Sequence, residues 1–183
     1  MSASAVSIRF RRSVVRSSAM PREEDRPVQQ SVLDRLIDED PGKLHELPPT
    51  RAQSIRALKA AVRRDLEWLL NTRAVAVPPP EEFHELKESV YTYGLPDLSS
   101  LNADDPNSRT RLRDYIARAI EVFEPRLTNV YVGEAETRDE RSRQVHFVIE
   151  AALKMDPSPE FVMFDTLLDL ASRQYAIKAD SGA

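Results

Sequence analysis

Glu124 and Arg126 are the residues of this chain best placed to do chemistry, because Pro125 between them removes freedom from both. Proline lacks a backbone N–H and drives the residue before it out of helical space, so a helix reaching this point ends near Glu124. A carboxylate and a guanidinium then flank a stiff corner, with apolar Phe123 and Leu127 outside them. Such a pair can lock a corner of the fold through charge-assisted hydrogen bonds. It can equally present a rigid, planar hook to another protein. Use as the acid of a glycosidase is less natural. That reaction needs two carboxylates roughly 5–9 Å apart, one of them held protonated, and an adjacent guanidinium favours the ionised form.

Other chemistry is thinly supplied. The four glycines, at 42, 94, 133 and 182, cannot build a Gly-rich phosphate loop. Cysteine is absent, which excludes disulfides and thiolate sites. His45, His84 and His146 are far apart, and His84-Glu85-Leu86-Lys87-Glu88 lacks the second histidine of a zinc-protease helix. The acidic stretch Glu134–Glu140 is interrupted by Arg138 and lacks calcium-loop spacing, so it reads as a solvated hairpin tip. No catalytic residue, metal ligand or cofactor is expected.

The elements that must position the corner are legible on both sides of it. Ile55, Leu58, Val62, Leu66 and Leu69 recur every three or four residues and predict a helix over 50–71, capped by Thr50. Its arginines, Arg56, Arg63 and Arg64, read as solvated or paired surface charge. Asp105-Pro106 opens a second helix whose stripe is Leu112, Ile116, Ala119, Ile120 and Phe123. Beyond the corner the period changes to two. Val130 and Val132 alternate with Asn129 and Tyr131, then Val145, Phe147, Ile149, Ala151 and Leu153 share one face. An apolar run over 160–170 and a short strand at 174–178 follow. Gly94 and Pro96 give turn chemistry beside Tyr91 and Tyr93, which read as anchors for their loop. Ser31 caps one or two helical turns over 31–37, stopped by Asp40-Pro41-Gly42, with Leu33, Leu36 and Ile37 on one face; so short a helix must dock on the body or on a partner. The expected fold is α+β, N-terminal helices packed on a small, mainly antiparallel C-terminal sheet.

Composition bounds the partners. The chain has 183 residues, 41% hydrophobic and 31% charged, with a net charge of only −4. This is a one-domain composition with no overall electrostatic case for nucleic acid. No apolar run approaches the roughly 18 residues that cross a bilayer. Residues 1–22 carry five arginines and no acid, against 21 basic and 30 acidic residues in 23–183. That arm reads as a solvated extension, a docking arm for an acidic partner or a targeting peptide. The division expected is an extension over 1–27, one domain over 28–178 and a tail over 179–183.

Several segments together resemble the TssE family of type VI secretion baseplate subunits, kin of the contractile-phage baseplate wedge protein once labelled lysozyme-like. They are Ser31–Leu36, Asp65–Arg73, Ser89–Asp97, Phe123–Leu127 and the Val145–Ile149 strand. Thr92 stands where the family usually has asparagine. The resemblance implies a non-enzymatic structural role: joining the wedge proteins TssF, TssG and TssK to the base of the TssB–TssC sheath by strand addition. It implies a cytoplasmic place at the inner face of the bacterial inner membrane, and Glu124, Pro125 and Arg126 as the partner-binding signature. Alanine at Arg126 is then expected to weaken assembly with the isolated fold largely intact. The alternative is a peptidoglycan hydrolase, as the old label suggests.

Overall fold

The two long amphipathic helices and the alternating strands bury their apolar sides against each other. A computed structural model describes residues 26–37, 42, 48–97, 105–135, 144–169, 172 and 174–178. The helices are α1 (Val32–Leu36), α2 (Arg51–Asn71) and α3 (Pro106–Phe123). Two short 3-10 turns, His84–Glu88 and Val90–Thr92, lie between α2 and α3. The strands β1 (Leu127–Glu134), β2 (Gln144–Leu153), β3 (Glu160–Asp169) and β4 (Gln174–Lys178) form one antiparallel sheet in the order β1-β2-β3-β4. The α+β expectation holds.

Local chemistry starts the two long helices where the residue types require. Thr50 and Gln53 form a reciprocal capping box at the head of α2. Asp105 accepts from the N–H groups of Asn107 and Ser108, with Pro106 in the first helical turn of α3. Gly94 sits at φ +109, where a Cβ would lie 2.4 Å from the Thr72 carbonyl oxygen. Only glycine lets residues 72–74 and 94–95 run close enough for Leu95 N–H to reach Thr72 O and Ala74 N–H to reach Leu95 O. Tyr93 anchors this loop as expected, its ring edge-on to Phe123 at 5.2 Å.

Val62, Leu66, Ile116, Ile120, Phe147 and Ile149 lie at the centre of the core, nearly or fully sealed from water. Each such side chain contributes roughly 1.5–3 kcal/mol by leaving water. The β2 and β3 alternation follows the sequence pattern, with 145, 147, 149, 151 and 153 all buried. In β1 the simple alternation fails. Asn129 takes φ 53, and the pairing slips by one residue between Thr128 and Tyr131. This bulge keeps Leu127 and Val132 both on the core face, although they are five positions apart.

Candidate functional site

The corner is built where α3 stops. Pro125 prevents a further turn, Glu124 N–H closes the last helical bond to Ile120 O, and Leu127 N–H returns to Glu124 O. Lys154 then fastens the outside of the corner: its backbone N–H reaches Arg126 O and its Nζ reaches Pro125 O, both at 2.8 Å. Pro125 itself is exposed.

Glu124 and Arg126 contact each other. Arg126 Nε donates to Glu124 Oε1 at 2.7 Å, its Nη2 donates to Oε2, and its backbone N–H also points at Oε1. Glu124 is only 4% exposed, so the bidentate guanidinium supplies the charge compensation that a buried carboxylate requires. Nη2 also donates to Asp65 Oδ2 on α2 at 2.6 Å. The Glu124 hydrogen bonds raise the Arg126 pKa above its ordinary value against the opposing effect of burial, and Asp65 adds to the rise. Arg126 Nη1 is buried and has no partner among the described residues. This geometry gives Arg126 work inside the isolated fold, contrary to the expectation that alanine there leaves it largely intact.

The charge chain continues beyond the corner. Asp65 Oδ1 accepts from Arg64 Nε and Nη2, and Arg64 Nη2 also reaches Asp34 Oδ1 of α1 at 2.8 Å. Arg64 lies 5.0 Å over the Trp68 ring. Thus α1, α2, the end of α3 and the start of β1 are joined by alternating charges. Burial pushes the Asp34 carboxyl up, but hydrogen bonds from Ser31 and Arg64 outweigh it and hold the pKa below the usual aspartate value. Burial also pushes the Tyr93 phenol up, helped by the nearby Asp65 and Glu124 charges. Helix α1 docks on α2 through this polar side, while Val28 and Gln30 just before it bond to Ser54. None of its residues is buried, and Leu33, Leu36 and Ile37 are exposed.

The sequence of one protein family, described as baseplate wedge protein gp25, matches residues 56–158. That is more than half of the chain, and it takes in the corner, Asp65 and the β1–β2 pair. The chain belongs to this baseplate wedge family. No curated protein and no solved structure matched. The role of the baseplate wedge family is structural, and the membership agrees with the TssE resemblance.

Among the described residues considered as possible sites of this wedge protein, only Glu124, Pro125 and Arg126 are brought together. His84 lies on a 3-10 turn and His146 on β2, while His45 lies outside the described residues. No His, Asp and Glu group suited to a metal occurs among the described residues. Glu134 pairs with Arg109 of α3 at 2.6 Å, and 136–140 of the acidic stretch lie outside the described residues. So does the basic arm over 1–22. No helix among the described residues is long and apolar enough to cross a membrane. In the sequence Asp65 stands out only within the Asp65–Arg73 segment, and Arg64 only as solvated or paired surface charge. Their partnership with Arg126 and Asp34 spans 61 and 30 positions, which no local pattern reveals.

The sheet offers two edges, β1 and β4, and they differ. Asn71, the last residue of α2, donates from Nδ2 to Tyr175 O at 2.9 Å and accepts at Oδ1 from Tyr175 N–H at 2.8 Å. Its amide thus behaves as a one-residue strand laid against β4. A second Nδ2 bond to Glu67 O fixes the side chain in that pose.

Proposed function

We propose that this wedge-family protein is a non-enzymatic structural subunit of a type VI secretion baseplate. It joins the wedge proteins TssF, TssG and TssK to the base of the TssB–TssC sheath, and works in the cytoplasm at the inner face of the bacterial inner membrane. One observation carries this reading: a four-stranded sheet with surface edges follows directly from a corner locked by charge. Edge strands hold unpaired N–H and C=O groups that another chain's strand can complete.

The corner's part is to hold the angle between α3 and β1 on which docking depends, with exposed Pro125 turned to the partner. Family membership supports the baseplate role, and the ionic lock of Glu124 to Arg126 supports a rigid corner. Both corner-facing carboxylates, Glu124 and Asp65, are committed to Arg126, which argues against a hydrolase built on them.

Co-purification tests the reading. Wild-type protein should bring down the wedge and sheath proteins, and a Glu124/Arg126 double substitution that still folds should bring down much less. Equal recovery by the folded double variant overturns the corner's role, and no recovery by wild type overturns the baseplate role.

A further inference from the structure

We infer that the outer edge of β1, and not that of β4, receives the incoming strand, and that Asn71 enforces the choice. The inference rests on the docking by strand addition proposed above and names the surface it uses. In an antiparallel pair the residues alternate between exchanging both backbone bonds with their neighbour and turning both groups away. Ala135 N–H bonds to His146 O, which sets the phase for β1 beyond its bulge. Gly133 with Val148 and Tyr131 with Glu150 are then the exchanging pairs. Val132, opposite Ile149, and Glu134, opposite Phe147, turn their N–H and C=O groups outward from the sheet.

The same rule applied to β4 gives the opposite outcome. Tyr175 turns outward, because its two backbone groups meet Asn71, and Ile177 is the next outward residue of a five-residue strand. With Tyr175 occupied, β4 has one outward pair left within its length. A ladder needs successive pairs, and β1 has them at Val132 and Glu134.

The occupant fitted by β1 is an extended segment of a partner chain with alternating side chains. Its outward-facing residue comes beside Tyr131, 61% exposed, whose ring leans over Gly133 so closely that a Cβ there would lie 3.3 Å from Cε1. An aromatic ring over a glycine leaves a shallow shelf, and the best cross-strand neighbour for it is β-branched or aromatic.

The test uses the full chain with purified TssB–TssC sheath proteins. Hydrogen exchange of the wild type should slow at the Val132 and Glu134 amides on binding, and stay unchanged at Ile177. Glu134→Pro removes an N–H that the β1–β2 ladder does not use, so the fold tolerates it. It should weaken binding at least ten-fold relative to Glu134→Ala, which loses the same ion pair to Arg109 but keeps the N–H. Asn71→Ala should keep β1 binding and newly allow protection at Tyr175. Protection confined to Tyr175 and Ile177 in the wild type, or equal binding by the two Glu134 variants, overturns the edge assignment. If sheath proteins bind with no change anywhere in the sheet, docking by strand addition itself fails, and this inference with it.

Discussion

Asp65 on α2 and Arg126 at the head of β1 meet at 2.6 Å, though 61 positions separate them. This contact turns a local three-residue corner into a junction of helix, helix and sheet. Arg126 bridges the buried Glu124 beside it and the half-exposed Asp65 across from it. Its planar fork suits that bridging, and a lysine's single ammonium does not.

Removing Arg126 strands the Glu124 carboxylate in the interior. Arg126→Ala should cost about 2–3 kcal/mol, less than a wholly buried pair because the Arg126 side chain keeps some solvent contact. Glu124→Gln added to it should restore part of that loss, since the stranded charge is gone. Urea denaturation of the two variants reads both numbers, and an additive double variant contradicts the account.

Asn71→Ala removes two hydrogen bonds to Tyr175 and bares the edge of β4. The expected loss is about 1–3 kcal/mol. Exchange of the Tyr175 amide should accelerate while Val132 stays as it was.

Gly94→Ala brings a Cβ against the Thr72 carbonyl in a backbone conformation that L side chains rarely adopt. The cost should be about 2–4 kcal/mol, combining strain with the clash. A thermal melt unchanged from wild type would show that the 72–95 contact is not formed as described.

The Tyr175 hydroxyl is buried without a partner among the described residues, and burial pushes its phenol pKa well up. Tyr175→Phe removes the unpaired group and keeps the ring. Stability should be unchanged or up to about 1 kcal/mol higher, and a marked loss in denaturation would reveal a partner for the hydroxyl.

The hold of α2 on helix α1 should weaken in acid. The Asp34 pKa in the folded protein lies below the ordinary 3.8, so its stabilising contribution is complete above about 3.8. That contribution is lost as pH falls through the lower folded value, when the Arg64 contact goes. NMR shifts of the α1 amides should follow the Asp34 titration, and Asp34→Asn should abolish that dependence.

The sequence by itself determined the element types, the stop at Pro125, the caps at Thr50 and Asp105, and the core faces of α2, α3 and β2. These follow from spacing, from proline's missing N–H and from short-range hydrogen bonding, all of which act over a few residues. It also held the Glu124–Arg126 pair in view while leaving its use open. Only the tertiary structure decided that the two touch each other, that Asp65 joins them, and that Asn71 occupies Tyr175 from 104 positions away. The bulge at Asn129, which breaks the alternation of β1, also had no local signature. Contacts between distant segments depend on how helices and sheet pack together, and the same polar residues could have faced water had that packing differed.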